Sequence, residues 1–295
     1  MNLKTWLLAI RPKTLPAASG PVLVGSAVAL GNGFFSFWPA VAALSAALLL
    51  QIGSNLANDV FDFKKGTDIT ERTGPLRVTQ AGLLTPRQVF VGMGLTFFVA
   101  FLIGLYLIKI GGWPILLIGS LSIVSAILYT GGPYPIGYNG LGEVFVFIFF
   151  GPVAVCGTYY VQALSLNPHV WLASIPVGFL TMAILVVNNL RDIKTDAKTG
   201  KKTLAVRLGK RATQREYLLF LSLAFIIPVL TVLFGFYSPW LLLPFLATPL
   251  VISLVREIYT KEGAALNKTL AKTAQLELVY SLLYSAGYLL NNLLA

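Results

Sequence analysis

Runs of about 20 apolar residues recur along the whole chain, and that length constrains the fold before any motif does. An α-helix of about 20 residues spans the hydrocarbon core of a bilayer. Nine such runs are present, at about 15–31, 37–57, 88–108, 112–130, 141–161, 168–189, 214–235, 238–255 and 273–294. None shows the period-2 alternation of a membrane barrel strand. In lipid every backbone polar group needs an internal partner, which leaves helices as the spanning structure. The expectation is an all-α, polytopic membrane protein with nine transmembrane helices in a bundle. Composition agrees: 56% of the 295 residues are hydrophobic and 11% are charged, where a soluble domain carries roughly 25% charged residues. The loops leave no room for an extramembrane domain, so residues 1–295 read as a single domain.

The net charge of +11 would suit nucleic acid, but topology explains it better. With nine helices and the N-terminus inside, every Lys and Arg except Lys109 falls in an inner segment. Positive residues mark the cytoplasmic side of a membrane protein. This predicts a cytoplasmic N-terminus, a C-terminus outside, and a place in the cell inner or plasma membrane. Trp38, Trp113, Trp171 and Trp240 begin the even-numbered helices, where an outer interfacial belt is expected. "TWLLAI" is followed by Arg11-Pro12-Lys13 and does not read as a cleavable signal. Cys156 is the only cysteine, so disulfides are not expected, and it reads as a small core hydrophobe.

The acidic residues carry the functional argument. The five aspartates, Asp59, Asp62, Asp68, Asp192 and Asp196, all lie at the inner ends of helices 2 and 6 or in the loops that follow. If those helices continue past the apolar runs, Asn55, Asp59 and Asp62 share one face (i, i+4, i+7). Asn189, Asp192 and Asp196 do the same (i, i+3, i+7). Carboxylates are unfavourable at a helix C-terminus, and here they occur twice. The stretch "NLANDVFDFKKGTDITERTGPLRV" also resembles "NNLRDIKTDAKTGKKTLAVRLG". Such an internal repeat suggests two helical halves with a site between them. Clustered carboxylates and amides suit Mg²⁺, which is typically held partly by substrate phosphate. Interleaved Lys and Arg suit the remaining phosphate charge. Two such clusters beside a membrane cavity point to a lipid diphosphate. Gly151-Pro152, Pro176, Pro228, Pro244 and Pro249 are positions where helices can bend around such a cavity.

The motifs "RPKTLPAA", "SNLANDVFD", "KGTD", "RTGPLR", "YTGGPYPIGYNGLGE", "FGPVAVCGTYY" and "NNLRDIKTDAKTGKKTLAVRLGK" together resemble those of the UbiA superfamily of intramembrane aromatic prenyltransferases. They are most similar to its 1,4-dihydroxy-2-naphthoate branch, in menaquinone biosynthesis. Five residues separate Asp62 from Asp68 instead of the commoner three, a spacing which that branch shares. The resemblance implies Mg²⁺ held by Asp62, Asp68, Asp192 and Asp196, with Asp59 joining the metal cluster. It implies a polyprenyl diphosphate gripped by Lys65, Arg72, Arg77, Lys201 and Arg207, with Asn55, Asn58, Asn188, Asn189 and Arg191 completing the polar shell. The prenyl group would pass to 1,4-dihydroxy-2-naphthoate with loss of CO₂ and diphosphate. Tyr129 would line the aromatic site, and Glu143, costly near a bilayer, would assist substrate binding. The active site would face the cytoplasm, with the lipid bilayer as a partner and nucleic acid as none. Other aromatic acceptors and a phytyl donor are alternatives within the superfamily. A CDP-alcohol phosphotransferase lacks its signature here. A transporter, the further alternative, would place acidic residues near mid-membrane.

Overall fold

The computed structural model describes residues 3–67 and 73–294, and all regular structure among them is helical. Two expected site residues, Asp68 and Arg72, lie outside the described residues. The chain begins with α1 (Leu3–Ile10), a 3₁₀ turn at Pro12–Thr14, and α2 (Pro16–Gly31). The α1 and α2 segments meet at 52°. Arg11 sits in this break with left-handed backbone angles, φ 55° and ψ 69°, just where Pro12 keeps its predecessor out of the right-handed helical region.

Helices α3 (Phe37–Lys64) and α4 (Pro86–Gly111) form the first long pair. The start of α4 carries a capping box, in which Thr85 and Gln88 satisfy each other's backbone N–H groups. After α5 (Trp113–Leu128), the run at 141–161 becomes α6 (Gly142–Ile148), a π-helical turn at Phe149–Val153, and α7 (Ala154–Ala163). Pro152 lies within that turn, and its missing N–H accounts for the widened register. The long α8 (Pro168–Lys198), the short α9 (Leu204–Leu208) and α10 (Lys210–Leu233) follow. The expected helix at 238–255 is not one α-helix. It is a 3₁₀ stretch, Pro239–Ala247, leading into α11 (Thr248–Thr260), and Pro244 lies inside the 3₁₀ part. The chain closes with α12 (Leu266–Leu294).

Among the described residues, six helical segments are long and apolar enough to cross a membrane, and the bent α1–α2 pair makes a seventh if it counts as one span. Helix α5 is apolar but has only 16 residues. The protein is therefore a multi-pass membrane protein. The most buried span is α8, which packs against α2, α6, α10 and α12. Its Val177, Leu180, Ala183 and Val187 meet Tyr217, Leu221 and Tyr280 in the main core. A second cluster joins Leu56 and Val60 of α3 to Val89, Met93 and Phe97 of α4. These two cores hold α3 and α8 as fixed arms, and both arms end at the same side of the bundle.

Cys156 is buried and unpaired, as a small core residue should be. His169 lies far from both arms' ends, and its Nδ1 is 2.6 Å from the Tyr237 hydroxyl.

Close approach of α2 to α12 depends on Gly20. A Cβ there would meet the Glu277 carboxylate, with Ser281 Oγ at 2.7 Å. Gly20→Val should therefore force the two helices apart and cost about 1–3 kcal/mol. A lower unfolding temperature of the detergent-solubilised protein would show it; an unchanged one would mean that this contact yields freely.

Candidate active site

Both aspartate-bearing runs do continue as helix. Helix α3 reaches Lys64 and α8 reaches Lys198, so each stripe forms as its spacing predicts. What the stripes face is less symmetrical than the sequence repeat. Asp62, Asp192 and Asp196 line one large cavity between the arms, with a volume of about 460 Å³. Asp59 does not line it. Its two carboxylate oxygens accept the buried backbone N–H groups of Val78 (3.1 Å) and Thr79 (3.0 Å). Asp59 thus holds the returning loop onto α3, which is a different task from the metal-binding one expected.

The two halves cross over at the carboxylates. Asp62, 1% exposed, receives Arg77 and the Tyr138 hydroxyl in hydrogen bonds. From the second half, Lys201 Nζ reaches Asp62 Oδ1 at 3.3 Å and Asp196 Oδ1 at 3.9 Å. In return, Thr73 of the first loop donates to Asp192 Oδ1 at 2.8 Å. Arg191 clamps Asp192 through Nε (2.9 Å) and Nη2 (2.5 Å), and it also donates to Asn188 Oδ1 and Asn267 Oδ1. Each loop therefore reaches the carboxylate of the opposite arm. Buried charges need such partners, because an unpaired one is strongly destabilising.

The remaining expected residues separate into two sets. Asn55, Asn58, Arg77, Tyr129, Asn188, Asn189 and Lys201 line the cavity with the three aspartates. Asn55 also donates to Ile10 O and Thr14 Oγ1, both at 2.9 Å, and so fixes the α1–α2 break against α3. Asn58 accepts from Thr130 at 3.0 Å. Lys65, Glu143, Arg191 and Arg207 stand outside the lining. Glu143 is buried and accepts from Asn189 Nδ2 at 2.9 Å, so it orients a lining amide instead of facing the cavity. Lys65 donates to Gly132 O at 2.9 Å. Arg207 holds the carbonyls of Lys202 (3.0 Å) and Asn139 (2.9 Å) at the surface. Arg77 and Arg207 both stand near the ends of the two resembling stretches, yet they make different contacts.

Sequence reasoning did not single out Tyr138. Its ring lies under Lys201 (4.5 Å to the centroid) and Lys65 (5.1 Å), and its hydroxyl meets Asp62 and Thr67. Burial, followed by the Asp62 charge, pushes its phenol well above the ordinary range, so it remains a neutral donor at physiological pH. Its place inside "YTGGPYPIGYNGLGE" was the available signal. The same motif cradles Tyr129: a Cβ on Gly137 or Gly142 would lie 2.6 or 2.8 Å from its ring or hydroxyl.

The donor set on the cavity wall is all oxygen, which suits Mg²⁺. Among the described residues no three carboxylate, imidazole or thiol groups gather closely enough to hold an ion alone. Beyond this polar end the cavity is mostly apolar, lined chiefly by Ala, Leu, Ile and Phe side chains of α3, α4, α5 and the π turn, with Ser and Thr hydroxyls among them.

Two outcomes are expected. Asp59→Ala should cost about 1–3 kcal/mol per orphaned N–H, and Asp59→Asn, which keeps one acceptor, should cost less. Thermal unfolding of the three proteins would check this, and equal stabilities would contradict it. Tyr138→Phe keeps the ring beneath the two lysines and removes only the hydroxyl. It should reduce kcat/KM by about tenfold, the scale of one hydrogen bond to a charged group, with no change in the pH profile below pH 9.

The model of the UbiA prenyltransferase family matches residues 18–276. A 1,4-dihydroxy-2-naphthoate octaprenyltransferase of Escherichia coli strain K12 is 39% identical over 98% of this chain and 96% of its own length. Another with the same name, from Mycobacterium tuberculosis, is 40% identical over 88% of this chain and 87% of its own. The solved structure of a UbiA homolog from Archaeoglobus fulgidus bound to GPP and Mg²⁺ superposes with a TM-score of 0.65 at 14% identity, covering 95% of this chain and 99% of that one. That likeness is one of fold. By the family match and by identities near 40% over almost the whole chain, the protein belongs to the UbiA prenyltransferase family.

Proposed function

We propose that this protein transfers a polyprenyl group from an allylic polyprenyl diphosphate to 1,4-dihydroxy-2-naphthoate, with loss of diphosphate and CO₂, on the menaquinone pathway. The observation that carries this reading is the meeting of opposed carboxylates and cations at the polar end of a long apolar cavity. A diphosphate with a hydrocarbon tail matches both ends at once. The names of the relatives support the naphthoate acceptor.

Asp62, Asp192 and Asp196, with Asp68 of the first motif, would hold Mg²⁺. The ion would neutralise the diphosphate and make it a better leaving group. Arg77 and Lys201, already at the carboxylates, would take the remaining phosphate charge, with Arg72 a further candidate from the first motif. Stabilising charge that develops on the leaving group is usually the largest catalytic contribution. As the allylic C–O bond breaks, the electron pair leaves with the diphosphate. The electron-rich naphthoate ring carbon that bears the carboxylate forms the new C–C bond, and loss of CO₂ returns the electron pair to the ring. Tyr129 offers an aromatic face on the cavity wall for the cationic carbon. Asn188 and Asn189, oriented by Arg191 and Glu143, would position the acceptor. The apolar lining would exclude water, which would quench the cation.

We also infer nine spans. Each apolar run is covered by helical structure, and the distribution of Lys and Arg supports an orientation in which the carboxylate end, the N-terminus and the active site would lie on the cytoplasmic face of the inner membrane.

Purified enzyme with dihydroxynaphthoate and octaprenyl diphosphate should form demethylmenaquinol and CO₂, and chelation by EDTA should stop it. Asp62→Asn and Asp192→Asn should each lower kcat by about 10²-fold or more. Full activity in either variant, or turnover undiminished by EDTA, would sink this assignment of the site.

A further inference from the structure

Two neighbouring amides on the cavity wall are held by opposite ends. Arg191 carries only donors, and its Nη2 donates to Asn188 Oδ1 at 2.8 Å. That leaves Asn188 Nδ2, a donor, for the cavity. Asn189 is turned the other way. Glu143 offers an acceptor, and Asn189 Nδ2 donates to its Oε1 at 2.9 Å. Asn189 Oδ1 receives no hydrogen bond from the described residues and is not sealed in by them. Both residues line the cavity, so the wall presents a donor and an acceptor side by side. The donor suits an anionic oxygen. The acceptor suits a group that brings its own hydrogen, which a diphosphate does not.

The place of Asn189 says what that group belongs to. It lies three residues before Asp192 on α8, about 4.5 Å further from the inner end. It is 7% exposed and turns toward α6, where Glu143 is 4% exposed. The same stretch of chain brings aromatic side chains to the cavity. Phe145 of α6 and Phe149 of the π turn both line it, with their rings stacked at 6.1 Å between centroids. Tyr129 lines it too, and Gly142, next to Glu143, leaves room for the Tyr129 hydroxyl, which a Cβ there would meet at 2.8 Å. The acceptor oxygen therefore sits beside aromatic surface, just below the carboxylates. A flat ring that carries a hydroxyl fits both features.

We propose that Asn189 Oδ1 accepts a hydrogen bond from a ring hydroxyl of the aromatic acceptor, and that Glu143 is the positioning residue that keeps this oxygen facing the cavity. This rests on the prenyl-transfer reading above. It gives the buried carboxyl of Glu143, costly at this depth, a task that an apolar side chain cannot perform. It also selects the acceptor by class. A ring without the hydroxyl would leave Oδ1 desolvated and without a donor, and an unmade bond at a buried polar group is penalised. The same bond serves the reaction. A hydroxyl that donates holds more electron density on its oxygen, and the ring that must attack the allylic carbon is richer for it.

The test reads binding to the purified enzyme and needs no turnover. Its probes are 1-hydroxy-2-naphthoate and 2-naphthoate, which differ only in the hydroxyl. Wild type should prefer the first by about tenfold or more, the scale of one hydrogen bond in a site built for it. Asn189→Leu and Glu143→Leu should each bring the ratio of the two Kd values down by about that factor. Glu143→Gln keeps a carbonyl oxygen at the same place and should retain the preference. Binding of geranyl diphosphate with Mg²⁺ should stay within about twofold in all three variants, which separates this role from a general loss of structure. A Kd ratio in Asn189→Leu equal to that of wild type overturns the proposal and leaves prenyl transfer intact. So does a parallel loss of geranyl diphosphate binding, which would make Asn189 part of the diphosphate and metal site. Failure of wild type to bind either naphthoate overturns the naphthoate reading itself.

Discussion

Asp62 is a carboxylate buried against an apolar cavity, and it is tolerable there only because cations from both halves of the chain reach it. Desolvating a charge costs several kcal/mol unless it is paired and hydrogen-bonded. Arg77, the Tyr138 hydroxyl and Lys201 supply that pairing. The first two arrive on connections flanking α3 and α5, and the third from the loop after α8. Removing the pairing would leave α3 ending in an unsatisfied anion, so the two arms, their loops and the polar cap of the cavity are stabilised together.

The crossed contacts also place the cations where a second anion would need them. Lys201 lies between Asp62 and Asp196, and Arg191 braces Asp192 from behind the wall. Charge is concentrated at one end of the cavity, and the rest is mostly apolar. Such a gradient orients an amphiphilic ligand without any contact specific to its tail.

Much of the site was legible because its chemistry is local in sequence. Helical spacing put Asp59 and Asp62 on one stripe and Asp192 and Asp196 on another, and both helices extend far enough to make those stripes real. The stripe could not reveal that Asp59 turns to the loop backbone while Asp62 turns to the cavity, because a helix face about 100° wide meets more than one neighbour. Lys65, Arg207 and Glu143 were legible as polar residues at the right end of the bundle. The hydrogen bonds of Lys65 to Gly132 and of Arg207 to Asn139 depend on loops whose paths carry no periodic signal, and that of Glu143 with Asn189 depends on how α6 packs on α8. Tyr138 was missed for the same reason: its role arises from two lysines that are far apart in sequence.

By itself the sequence determined that the chain is helical and membrane-embedded, with its carboxylates and cations at one end. Run length, backbone hydrogen bonding in lipid and helical period decide those matters locally. Only the tertiary structure decided which carboxylate meets which cation and that the loops cross between the arms. It alone showed that the run after Ser238 winds as a 3₁₀ helix before α11. Those are properties of the space between helices, and packing sets that space.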